Sequence, residues 1–295
     1  MDLAKCPERK SGHRRAQTAA DGYAREKEFA KALACYVSAL SSNGDFAPAF
    51  YGIGEMYSRK IPQSFELARE SYELAIEEWP EYLDAHLALG DLWQYSREDY
   101  VRAEMLYREA VRLKPTDALS WDAMSNSLRM QGKLDQALAN YNKAIAQVEI
   151  PLGLYYGRAQ VYSDMGDYAA CAADVSKVIE EKDDYIPALY LRANCMANIT
   201  TGDNVPPAHL VEKFYREIFE KEKTKPEYLI SLIKWIYQSG RELRVKALRN
   251  LLKVGGKNKA EYSAKGNETW AEFVAEYEPL IAALPDPEAE KREEL

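Results

Sequence analysis

By type, the residues of this chain best suited to chemistry are its four cysteines, three histidines and abundant carboxylates, and their spacing limits what that chemistry can be. Cys6, Cys35, Cys171 and Cys195 are scattered, with no Cys-x-x-Cys pair. His13, His86 and His209 lie far apart, so the nitrogen–sulfur spacing of a zinc site is missing. Three of the cysteines fall in predicted helices, where cysteine is most often a small buried hydrophobe, and the expectation is free thiols in a reducing compartment. Gly52-Ile53-Gly54 lacks the third glycine of a phosphate-cradling loop, and Gly255-Gly256-Lys257 follows a helical stripe rather than a strand, so it reads as a helix stop. No serine nucleophile motif, His-Glu-x-x-His pair or calcium-binding loop occurs. Without a nucleophile, a base and a group to orient them, no enzymatic activity, cofactor or metal is expected.

Composition points the same way. The 295 residues carry 39 Lys+Arg against 47 Asp+Glu, a net charge of −8. A protein that grips a phosphate backbone needs a basic face, so nucleic acid is disfavoured as a partner. The run Arg9 to Arg15 is basic, but a solvated arm ahead of the first helix (1–12) accounts for it. The opening Met-Asp-Leu-Ala-Lys-Cys-Pro has no apolar core of a secretory signal, and no apolar run reaches the length of a membrane span. The expected location is therefore cytoplasmic. The ending Arg-Glu-Glu-Leu is only loosely similar to a retention signal.

What positions the side chains is a phrase that returns every 34–36 residues. Its copies read Ala32…Tyr36…Ala39-Leu40, Ala68…Tyr72…Ala75-Ile76…Pro80, Ala103…Tyr107…Ala110-Val111…Pro115 and Ala137…Tyr141…Ala144-Ile145. A fixed period in this range means stacked supersecondary units rather than one closed globule. Each unit reads as two helices. The first carries a bulky residue, a leucine-like residue and a small one, as in His86, Leu89 and Gly90 or Trp121, Met124 and Ser125. The second carries the Ala–Tyr–Ala stripe, and turn residues such as Gly132 and Gly166 separate the two.

This combination resembles the tetratricopeptide repeat family, whose unit pairs a Trp–Leu–Gly–Tyr helix with an Ala–Tyr–Ala helix ending near Pro. The resemblance spans 13–222, in copies at about 13–46, 47–82, 83–117, 118–151 and 152–185 and a degenerate sixth at 186–222, interrupted by Thr200 to Pro207. Cys171 and Val175 replace the alanine and tyrosine in the fifth copy. The resemblance implies an all-α, right-handed superhelix (an α-solenoid) that serves as a non-enzymatic adaptor or scaffold for protein partners. Its concave groove would be lined by the first helix of each pair. The groove places in this chain hold Asp21; Tyr51 and Glu55; Asp91 and Gln94; Asp122, Asn126 and Arg129; Tyr156 and Gln160; and Tyr190 and Asn194. Asp21, Glu55 and Asp91 take equivalent places, with Asp122 one turn away, which would make an acidic track that selects basic peptide or helical segments.

Chaperone-binding members of the family clamp a C-terminal carboxylate with Lys, Asn and Arg. Of those places only Asn126 and Arg192 match here, whereas Asp122, Gly157 and Ala188 depart, so a chaperone adaptor would lack an intact clamp. The other alternative is a structural subunit of a larger assembly, contacting through its convex face or its end. There, 223–256 reads as a capping helix pair, with one stripe ending at Gly240 and a second, from Leu243, ending at Gly255-Gly256. Residues 257–284 read as a loop and an amphipathic helix capped by Asn267, whose Trp270, Phe273 and Tyr277 offer a second candidate interface; 285–295 read as a disordered acidic tail. Oligomeric state is left open by the sequence.

Overall fold

The alanine–tyrosine stripe becomes the buried side of a helix in each of its four copies. The stripe alanines are 0% exposed and Tyr36, Tyr72, Tyr107 and Tyr141 at most 4%. Small residues at i and i+7 let two backbones approach, and the tyrosine between them fills the space that is left. The partner surface is matched to that ring. A Cβ built on Gly54 or Gly90 would sit 2.5 Å from the ring of Tyr72 or Tyr107, each in its own pair, and one on Gly52 2.4 Å from Tyr36 of the pair before. Ser125, the small residue at the corresponding place in the fourth pair, is fully buried.

The computed structural model describes residues 13–26, 28–42, 46–60, 64–200, 205–238, 244–258, 262 and 264–282. Among them are fifteen helices and no strand. They are α1 (His13–Arg25), α2 (Phe29–Ser42), α3 (Ala47–Lys60), α4 (Phe65–Glu78), α5 (Leu83–Arg97), α6 (Tyr100–Leu113), α7 (Ala118–Met130), α8 (Leu134–Ile145), α9 (Leu152–Met165), α10 (Tyr168–Glu181), α11 (Ile186–Asn198), α12 (Ala208–Lys221), α13 (Pro226–Gln238), α14 (Arg244–Asn258) and α15 (Ala264–Ala282). The expectations for the arm 1–12, the interruption at 201–204, the stop at Gly240, the stripe's start at Leu243 and the tail 285–295 lie outside the described residues.

The chain forms two units, Met1–Val161 and Tyr162–Leu295. In the first, α1 packs on α2, α3 on α4, α5 on α6 and α7 on α8, and each pair packs on the next. Local chemistry sets the ends. Asp99, Asp117 and Asp167 each accept a hydrogen bond from the backbone N–H three residues on, capping α6, α7 and α10. Gly132 and Gly166 close their turns at φ +75° and +79°, a region that costs other residues about 1 kcal/mol or more. The prolines that close two copies also anchor the next pair. Trp121 Nε1 donates to the Pro115 carbonyl at 2.7 Å, and His86 Nε2 lies 2.8 Å from the Pro80 carbonyl, which can only accept, so that nitrogen carries the proton.

In the second unit α10, α11, α12 and α13 pack in succession, and α13, α14 and α15 pack on one another. Their shared core includes Leu229, Leu232, Ile233, Leu248, Trp270, Phe273 and Ile281. Three expectations are corrected here. Helix α14 does not stop at Gly255-Gly256 but runs on to Asn258. Gly255 is needed for closeness instead, because a Cβ there would lie 2.1 Å from the Trp270 ring. Helix α15 begins at Ala264, so Asn267 lies inside it rather than at its cap. Finally, Cys171 and Cys195 are not separate thiols: they form a disulfide joining α10 to α11, with Cα atoms 6.2 Å apart. Cys35 is also disulfide-bonded.

Candidate functional site

Four of the carboxylates in the expected track share one geometry. The stripe tyrosine of each second helix reaches across to the first helix of its own pair and donates its hydroxyl to the acid there. Tyr36 Oη reaches Asp21 Oδ1 at 2.6 Å, Tyr72 reaches Glu55 Oε1 at 2.8 Å, Tyr107 reaches Asp91 Oδ1 at 2.6 Å and Tyr141 reaches Asp122 Oδ1 at 2.9 Å. Asp122, expected one turn out of register, thus plays the same part as the other three. In the second unit Tyr215 Oη donates to Asn194 Oδ1 at 2.7 Å, the same bond made to an amide. The fifth copy has Val175 in place of the tyrosine and cannot make it.

Each acid is therefore held from behind by a buried hydroxyl. Burial pushes the hydroxyls of Tyr36, Tyr72, Tyr107 and Tyr141 far above their ordinary range, and the neighbouring carboxylates push them further, so they stay protonated donors. Partial burial raises the Asp91 carboxyl, with Glu55 adding to the effect and the Tyr107 hydrogen bond opposing it. Burial also raises Asp122, against the Tyr141 bond and the charge of Arg129.

Between α3 and α5 the first-helix face opens into a cavity of about 440 Å³. Tyr51, Glu55, Asp84 and Asp91 form its polar walls, and Leu87 and Leu92 contribute apolar surface. Tyr51 is steadied by the rings of Tyr72 and Tyr82, with centroids 5.9 and 5.4 Å away. The field here is anionic: the Tyr82 hydroxyl is pushed up to about 12 by burial and then by Asp84, Asp21 and Glu55. A cation entering this cavity would meet three carboxylates and an aromatic wall, and no lining group is basic.

Other expected site residues lie elsewhere or are already engaged. Gln94 is only 3% exposed and offers little to a partner. Asn126 accepts hydrogen bonds from the guanidinium of Arg129 at 3.1–3.3 Å, which makes the fourth pair less acidic than the cavity. Tyr156 and Gln160 sit half-buried on α9. Tyr190 packs its ring on Tyr228 at 4.9 Å and hydrogen-bonds Ser231, so it is part of the packing of the second unit. Arg192, one of two residues matching the chaperone clamp, lies over the Phe214 ring at 4.3 Å. Trp270 and Phe273 are each 4% exposed and the partly buried Tyr277 packs against them, so these three side chains are engaged within the second unit, whereas Leu280 on the same helix is exposed.

Sequence reasoning found the acids but missed their tyrosine donors. The signal was present: each acid precedes its tyrosine by 15–19 residues, in step with the repeat.

No protein-family model matches the chain, and a search of curated proteins finds no match either. Solved structures do match. The C-terminal part of a TPR repeat-containing protein from Cytophaga hutchinsonii aligns with a TM-score of 0.63 at 16% identity, covering 83% of this chain and 97% of that one. PilF of Pseudomonas aeruginosa aligns with a TM-score of 0.60 at 14% identity, covering 75% and 96%. PilW, described as a widely conserved type IV pilus biogenesis factor, aligns with a TM-score of 0.58 at 14% identity, covering 78% and 96%. At these identities the likeness establishes the fold.

Proposed function

We propose that this chain, an α-solenoid with the tetratricopeptide repeat fold, is a non-catalytic adaptor that takes an arginine- or lysine-bearing segment of a protein partner on the first-helix face of its first unit. The observation that carries this is the cavity between α3 and α5, with Glu55, Asp84 and Asp91 around one space beside the Tyr51 ring. A guanidinium entering there donates paired hydrogen bonds to the carboxylates and gains a cation–π contact with Tyr51, the latter worth about 0.5–2 kcal/mol. Because the tyrosine hydroxyls hold Glu55 and Asp91 in place beforehand, the partner does not bear the cost of ordering them. The site residues are Tyr51, Glu55, Asp84 and Asp91, with Asp21 and Asp122 extending the acidic face to either side.

Such a protein is a scaffold that assembles partners rather than an enzyme that transforms a substrate. The Cys171–Cys195 disulfide supports work in an oxidising compartment over the cytoplasm, where such a bond is kept reduced. Among the described residues no helix is long and apolar enough to cross a membrane.

The test is a labelled arginine-rich peptide titrated against the wild type and Asp84→Asn/Asp91→Asn. Both substitutions keep side-chain shape and remove charge. The expected result is at least about tenfold weaker binding by the variant, with its melting temperature maintained. Equal binding by the two proteins sinks the proposal.

A further inference from the structure

The first unit carries a second cavity, on the side formed by second helices, whose chemistry is opposite to that of the first. It is an open groove between α6 and α8, floored by α7, with a volume of about 490 Å³, a size typical of ligand sites. Trp121, Met124 and Leu128 make the apolar floor. The Trp121 ring is fixed by its hydrogen bond to the Pro115 carbonyl, so the floor is set before anything arrives. The rim is basic, with Arg108 and Arg112 on α6 facing Lys143 on α8.

These cations are only lightly committed. Lys143 Nζ lies 5.4 Å from the centroid of the Trp121 ring and has no carboxylate partner among the described residues. Arg112 pairs with Glu109 at 2.8 Å but is 67% exposed, and Glu81 adds only to its surrounding field. Arg108 pairs with Glu104, which Lys133 and Gln131 also hold. Burial alone would push Glu104 up, but the Gln131 bond and the charges of Lys133 and Arg108 outweigh it and hold the carboxyl below its ordinary range. Three acids, Glu81, Glu104 and Glu109, thus act on four cations, Arg108, Arg112, Lys133 and Lys143, and the lining of the cavity itself holds three of the cations and no acid. The Arg112–Glu109 pair is exposed on both sides, and pairs of that kind are worth about 0–1 kcal/mol, so the Arg112 guanidinium can exchange its partner at little cost.

We propose that this cavity is a second docking site, for an acidic amphipathic segment of a protein partner: a leucine or phenylalanine seated on Trp121 and Met124, with flanking Asp or Glu side chains taken by Arg112 and Lys143. Charge complementarity selects that occupant. The chain is net −8, yet this groove is locally cationic, so it repels the basic segments suited to the other face and attracts acidic ones. A segment laid in a groove between two helices contributes anchors from one face and charges from its edges, as amphipathic helices do. With opposite charge preferences on its two faces, the first unit would bridge two different partners rather than hold one.

The experiment uses the full chain and two synthetic, fluorescein-labelled peptides. One carries leucine and phenylalanine at three- and four-residue spacing with glutamate elsewhere; the other has lysine in place of every glutamate. The acidic peptide is expected to bind saturably to the wild type and to weaken by at least about tenfold in Arg112→Glu/Lys143→Glu. Lys182→Glu/Lys213→Glu, two exposed charges of the second unit, makes the same change in net charge and should leave binding within about twofold. Both altered sites are on the surface, and a melting curve for each variant confirms folding. No saturable binding by the acidic peptide, or an Arg112→Glu/Lys143→Glu variant that binds like the wild type, overturns the proposal. So does loss of binding in Lys182→Glu/Lys213→Glu equal to that in Arg112→Glu/Lys143→Glu, which would reduce the effect to overall charge.

Discussion

At the scale of residues, the tyrosine–carboxylate pairs do two jobs that substitution can separate. Tyr107→Phe removes a donor and leaves the inner oxygen of Asp91 unanswered, which should cost about 1 kcal/mol in chemical unfolding. Asp91→Asn should not, because an amide oxygen accepts the same bond, as Asn194 does from Tyr215. The sign with pH follows from the raised Asp91 carboxyl. A folded-state value above the unfolded one means that the folded chain holds its proton longer. Ionised Asp91 therefore subtracts from stability once the pH exceeds that raised value. The subtraction fades as the pH falls through it and is gone below the ordinary aspartate value of 3.8. Asp91→Asn should thus melt at or above the wild type at neutral pH and converge with it near pH 3.8; a variant that melts well below the wild type at neutral pH would show that the charge itself supports the fold.

At the scale of elements, helix pairing depends on small residues facing the tyrosine rings. Gly22 and Gly90 both lie inside first helices, where alanine is intrinsically better by about 1 kcal/mol. A Cβ on Gly22 meets nothing within 4 Å, whereas one on Gly90 lies 2.5 Å from the buried Tyr107 ring. The expectation is opposite signs: Gly22→Ala raises the melting temperature, and Gly90→Ala lowers it because overpacking costs about 1–3 kcal/mol. Two destabilised variants, or two stabilised ones, would contradict the packing described for α5 and α6. The stripe and the turn glycines were legible in the sequence because each follows from residues within one or two turns of one another. The continuation of α14 through Gly255-Gly256 was not, because what those glycines accommodate is Trp270 on a different helix.

At the scale of the whole molecule, the Cys171–Cys195 bond closes a loop of 24 residues across two helices. Closing such a loop restricts the unfolded chain and stabilises by about 2–4 kcal/mol. Cys171→Ala/Cys195→Ala should lose that amount in unfolding free energy under oxidising conditions. The gap from the wild type should narrow sharply when reductant is added; an unchanged gap would mean that the loss came from packing rather than from the bond. The sequence by itself determined that the chain is a stack of helix pairs and that acids recur at one place on the first helices, because a period and a helical face are properties of neighbours along the chain. Only the tertiary structure decided what those acids are bonded to, that Cys171 meets Cys195, that Trp270 and Phe273 are buried, and that a basic cavity lies between α6 and α8. Each of these depends on residues far apart in sequence brought within a few ångströms, a distance that composition and spacing do not encode.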